Sequence, residues 1–136
     1  MRPLARALAI VSWLVCSTGW ADVNDDVAEA KGYSLLYDLQ LPEKVNFHQT
    51  PPKYATDNGA TLSKTFDRVA YFMETQVKGQ PRRFAWVSMK AFTTDAGKLG
   101  VPHGATGAFF QRKVEAMNVV SNHPGITAGT GLNSGN

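Results

Sequence analysis

Three histidines, His48, His103 and His123, are the natural starting point, because imidazole both moves protons and ligates metals. All three fall in loop-like stretches, and His103 and His123 adjoin Pro102 and Pro124. No pair has the i, i+4 spacing that sets two ligands on one helical face. Nucleophilic chemistry finds no support either. There is no Gly-x-Ser-x-Gly elbow, and Ser88 falls inside a strand-like run instead of at a strained turn. Ser121, His123 and Asp95 could be written as a triad, as such residues can in any chain that contains them. Glycoside hydrolysis needs two carboxyl groups facing one cleft. Asp67 and Glu74 lie an odd number of positions apart on one expected strand, hence on opposite faces. Cys16 is the single cysteine, which leaves the chain after it without thiol catalysis or a cysteine metal site. No catalytic set and no metal set emerges.

Calcium is the one cofactor worth testing. Asp22-Val23-Asn24-Asp25-Asp26 opens like a calcium loop, but Val27 stands where an EF-hand needs glycine and Tyr33 where it needs the closing glutamate. That leaves Asp57-Asn58 and Asp95 as loop oxygens for a structural calcium at most. The aromatic residues suggest recognition instead. Sugar rings offer apolar C–H faces to flat side chains, while their hydroxyls pair with carboxylates, amides and guanidinium groups. Trp86 and Tyr71, expected to meet across a hairpin with Arg83 and Glu74 close by, are the candidate ligand-binding set. The competing expectation is that these rings form the core, as strand-spaced aromatics usually do.

The elements that would carry these residues are mostly strands. Residues 33–41 alternate, with Tyr33, Leu35, Tyr37, Leu39 and Leu41 in register and Pro42 ending the run. Residues 42–63 read as loops with at most a short strand near Tyr54. Residues 66–78 and 83–92 flank Gly79-Gln80-Pro81 and predict an antiparallel hairpin. On its first strand Val69, Tyr71 and Met73 share one face, and Ala70, Phe72 and Glu74 the other. Residues 93–107 form a loop, residues 108–121 lean to strand, and the glycine-rich tail from Pro124 closes no core. Arg82 and Arg83 beside Lys78 read as a solvated basic spot at the turn.

The N-terminus has a different character. Arg2 and Arg6, an apolar run from Ala7 to Val15 and small residues up to Ala21 match a secretory signal peptide over residues 1–21. The apolar run is too short for a membrane-spanning helix, which takes about 20 residues. Val15 before Cys16 argues against lipoprotein processing. Cleavage after Ala21 removes Arg2 and Arg6 from 14 basic residues and none of the 11 acidic ones, so the net charge falls from +3 to +1. That balance offers no electrostatic case for nucleic acid, nor for a membrane once the leader is gone. Residues 22–32 are polar and read as a linker or a short helix ending at Gly32. Residues 33–136 then read as the N-terminal part of an all-β, antiparallel, jelly-roll-like β-sandwich that continues past Asn136, since a sandwich takes about seven or eight strands.

Five stretches carry a resemblance: GYSLLYDLQLP (32–42), FDRVAYFMETQ (66–76), WVSMKAFTTDAGKLGVP (86–102), GAFFQRKVEAMNVVSN (107–122) and GITAGTGLNSGN (125–136). Together they resemble an uncharacterised β-rich module of large secreted bacterial proteins, often set beside sialate O-acetylesterase-type or other glycan-processing domains. The resemblance implies secretion to the periplasm, cell surface or medium, a β fold and a glycan-related setting with neighbouring domains as partners. It brings no catalytic residue. The expected function is that of a non-catalytic accessory or adhesion module with weak carbohydrate binding. The alternatives are the opening segment of a secreted esterase or glycoside hydrolase whose catalytic residues lie beyond Asn136, and a ligand-free structural spacer.

Overall fold

A computed structural model describes residues 5–13, 20–41, 53–62, 65–100 and 113–133. Their strands form one seven-stranded sheet. In chain order the strands are β1 (Ala5–Trp13), β2 (Ser34–Leu41), β3 (Tyr54–Asp57), β4 (Phe66–Thr75), β5 (Arg83–Lys90), β6 (Met117–Ser121) and β7 (Gly129–Leu132). Across the sheet they run β3-β2-β1-β4-β5-β6-β7. All neighbours pair antiparallel except β1, which lies parallel to both β2 and β4. A short helix α1 (Trp20–Asp26) and a 3-10 turn (Ala28–Gly32) follow β1, and a second 3-10 turn spans Ala96–Lys98. The fold is therefore mostly β. No helix among the described residues is long and apolar enough to cross a membrane.

The expected hairpin is present, and the predicted face pattern of β4 holds. Ala70 and Phe72 pack on one side of the sheet, with Val69 and Tyr71 on the other. β2 is less regular than its alternation predicts. Leu8 pairs with Leu35 and Ala9 with Tyr37, so Leu36 is the extra residue of a bulge. Leu35 accordingly joins the core containing Tyr33, whereas Leu36 and Tyr37 both join the opposite one. The glycine-rich tail also departs from expectation, because Gly129–Leu132 pairs with β6. Missing side chains are what allow it. A Cβ on Gly129 would lie 3.2 Å from the Leu132 side chain, and Gly131 takes a φ of +65°, which disfavours other residues.

Each face of the sheet is covered differently. On the first, Val23, Val27 and Ala30 from the helical segment lie on Tyr33, Ala70, Phe72 and Trp86. Residues 22–32, which read as a linker or short helix, are thus a packed helical cover. Their apolar residues recur at helical spacing, and all three are buried. On the second face, Leu36, Tyr37, Phe66, Val69, Met89 and Leu99 form a separate core under the loop that follows β5. Two phenols pin that loop: Tyr37 Oη donates to the Ala96 carbonyl at 3.1 Å, and Tyr71 Oη to the Leu99 carbonyl at 3.2 Å. Burial, with a smaller contribution from Tyr54, pushes the Tyr71 phenol up to about 12.

Residues 5–13, the leader-like run, occupy the middle of the sheet. The loop readings at 42–52, 63 and 101–107 lie outside the described residues, as does the strand reading at 108–112; of the rest of that reading, only Met117–Ser121 is strand.

Candidate functional site

The four residues expected to form a ligand site are not brought together. The hairpin register pairs Phe72 with Trp86 and Tyr71 with Val87, so Trp86 and Tyr71 point to opposite faces. One residue of register separates this from the expected arrangement, and the turn between the strands sets it. Trp86 is fully buried at 0% exposure, edge-on to Tyr33 with ring centroids 5.1 Å apart. Tyr71 is half-buried under the 96–100 loop. Arg83 donates to the Asn122 carbonyl at 2.9 Å, at the β5–β6 end. Glu74 is buried and accepts from Arg82 at 2.6 Å, not from Arg83.

Two polar clusters do form, and sequence reasoning missed both. The first surrounds Glu29, which the 3-10 turn presents over the end of β5. Its Oε1 accepts from Ser88 Oγ at 2.8 Å and from Tyr33 Oη at 3.0 Å, and its Oε2 accepts from Trp86 Nε1 at 3.3 Å. Asn118 Nδ2 lies 3.5 Å from both oxygens, and Arg68 Nε lies 3.7 Å from Oε1. Arg68 in turn donates to Ser88 Oγ, Tyr33 Oη and the Ala116 carbonyl. Serine, glutamate and arginine in one cluster suggest acyl chemistry. The geometry opposes it, because Ser88 is fully buried with its hydroxyl already donating and accepting. The cluster ties the helical cover to β4, β5 and β6.

Burial alone would raise the Glu29 carboxyl. Hydrogen bonds from Ser88, Tyr33, Trp86 and Asn118 outweigh it and hold the pKa below the ordinary 4.5. A carboxyl with a lowered folded pKa adds stability above the unfolded value and loses it as pH falls through the folded one. Thermal unfolding scans should therefore show stability falling below about pH 4.5. Glu29→Gln should cost about 1–2 kcal/mol at neutral pH and flatten that acid decline. An unchanged decline in the variant would assign the acid sensitivity to other groups.

The second cluster lies toward the other end of the helical cover. Arg82 bridges Asp26 on α1 and Glu74 on β4, and its guanidinium carbon sits 5.6 Å from the centre of the Phe84 ring. The Asp26 bond, opposed by burial and aided by Glu74, raises the Arg82 pKa above its ordinary value. Arg82 is thus an inward clamp and not part of a solvated basic spot. Two signals pointed to these ties. Arg68 shares a strand face with buried Ala70 and Phe72, and a charge there needs a partner. Glu29 follows an apolar series at helical spacing and therefore rides a packed segment.

The second face carries a more open arrangement. Tyr37 and Tyr54 stack with centroids 4.6 Å apart and planes 27° apart, Tyr54 being half-buried on the outer strand β3. Asp57 and Asp95 are exposed, and both carboxylates act electrostatically on the Tyr37 phenol, which burial chiefly raises. Each aspartate caps its own turn by accepting from the amide two residues on, Gly59 or Gly97, at 2.9 Å. The loop oxygens considered for calcium therefore neighbour one aromatic pair. Among the described residues no group of three or more His, Cys, Asp or Glu is placed to hold a metal ion.

No family model matches the chain, and no curated protein and no solved structure matches it.

Proposed function

We propose that this chain is an exported, non-catalytic module that serves a larger glycan-associated protein as an accessory or adhesion element, and that its sugar contact lies at the Tyr37–Tyr54 edge. The observation that carries this reading is the stacked pair itself. It combines a half-exposed ring with two exposed carboxylates, the chemistry that holds a sugar by one face and its hydroxyls. The earlier candidates support it by elimination, since Trp86, Glu74 and Ser88 are closed off within the fold. One such contact is weak, and neighbouring modules strengthen it through effective concentration.

On this reading the described sheet, antiparallel on either side of β1 but parallel at β1 itself, is one layer of a jelly-roll-like sandwich completed by further strands of a longer polypeptide. Its partners are neighbouring domains and glycans at the cell surface, in the periplasm or in the medium. Neither nucleic acid nor membrane is a partner once the leader is removed.

The test is affinity electrophoresis of the exported protein through gels containing surface glycans. Tyr54→Ala should lose about tenfold in retention, the equivalent of one stacking contact, while a still cooperative melt, lowered by the lost stack on Tyr37, shows that the variant remains folded. Wild-type protein that no glycan retards, or a Tyr54→Ala variant that is retained equally, would sink the sugar contact.

A further inference from the structure

The segment with the composition of a cleavable leader is also the strand through which the two halves of the sheet join. From Ala7 to Trp13 every residue of β1 is in register with β2 on one side, Ser34 to Leu41, and with β4 on the other, Val69 to Thr75. Cleavage after Ala21 would release it. β2 and β4 would then stand about 9–10 Å apart, twice the inter-strand spacing and beyond hydrogen-bonding reach. Their facing N–H and C=O groups would lose their partners, beside residues that are now almost wholly covered: Leu36, Leu39, Val69 and Phe72.

Contacts that do not involve β1 hold the gap at its present width. Tyr33, next to the start of β2, accepts from Arg68 on β4 and packs edge-on against Trp86 on β5. On the other face, Tyr37 of β2 and Tyr71 of β4 both donate to the 96–99 loop. With both faces bridged, β2 and β4 cannot simply close on each other.

The geometry points to a strand-acceptor slot between β2 and β4 that, in the processed protein, takes an extended apolar segment of a partner polypeptide. The occupant's chemistry is set by the strand now seated there, ARALAIVSW. It is at least seven residues long, apolar, without proline, and enters parallel to both walls. Recognition of this type draws affinity from main-chain hydrogen bonds along both edges. A second copy is a poor donor, because cleavage at the same bond would have cost it the same strand. The inference rests on the export reading and is independent of the sugar contact.

The experiment uses the full chain expressed in an exporting host, with the N-terminus of the recovered protein read by mass spectrometry. The probe is a fluorescent ARALAIVSW peptide carrying a lysine tag for solubility. Its control places proline at the Ile10 position, which removes a donor in mid-strand. Processed protein should bind the probe at one-to-one stoichiometry, melt at a higher temperature with it, and bind the control at least about tenfold more weakly. Should the processed protein be poorly folded alone, the probe should restore its β circular dichroism, and failure to do so would overturn the proposal. Recovery of uncleaved protein starting at Met1, equal binding of probe and control, or a strand-exchanged dimer that ignores the probe would each overturn it as well.

Discussion

Replacing Trp86 by alanine is expected to cost about 3–5 kcal/mol, a large share of the roughly 5–15 kcal/mol by which domains are usually stable. The side chain is fully buried, meets Tyr33 edge-on and packs among Phe72, Ala70, Val23 and Val27. Truncation would leave a cavity beneath the helical cover and remove one of the donors to Glu29. Trp86→Phe should recover most of the loss, because it restores volume and forfeits only the indole N–H. Urea titration of the three proteins measures the series. An alanine variant within about 1 kcal/mol of wild type would mean that the ring does not organise this core. Any loss of ligand binding in Trp86→Ala would report unfolding and not a missing contact, so Tyr54 is the better position for probing recognition.

Arg82→Met should be the next most damaging change. It keeps the aliphatic stem near Phe84 but leaves Asp26 and Glu74 without the cation between them. Removing one partner of a buried ion pair costs about 3–5 kcal/mol, and the partial exposure of the Arg82 side chain, 27%, brings the expectation down to about 2 kcal/mol. A second substitution, Glu74→Gln, made on top of the first should restore part of that loss by removing the stranded charge. Were the double variant weaker than the single by the full cost of Glu74→Gln alone, the two side chains would be uncoupled. Arg83→Met, one residue away, should shift stability by less than about 0.5 kcal/mol, because its guanidinium donates to an exposed carbonyl, that of Asn122.

The hairpin was legible because its two runs are long, alternate cleanly and are separated by Gly79-Gln80-Pro81. What alternation could not supply was the register, and a slip of one residue is enough to part Tyr71 from Trp86. The β2 pattern likewise failed at a single point, the bulge at Leu36, which moves Tyr37 away from the face of Tyr33 and Leu35. The helical cover was half visible. Val23, Val27 and Ala30 have the right spacing, but the acidic residues among them gave the stretch the look of a linker. Charge partnership was the least accessible feature. Glu29 and Ser88, or Asp26 and Arg82, are far apart in the chain and meet only through the tertiary fold. β7 shows the limit of composition, since glycine marks loops until a neighbouring strand uses its missing side chain.

The strand order also sets a timetable for assembly. β4 and β5 meet across a short turn, and β6 can add to them without waiting for the N-terminal half. The β1–β4 seam joins partners farther apart along the chain than β4–β5 or β5–β6, so its loop-closure entropy is greater and its formation slower. A folding chain would therefore hold a joined β4–β5–β6 flank beside an unsealed β1–β4 seam, and that seam would remain accessible to a visiting strand longest.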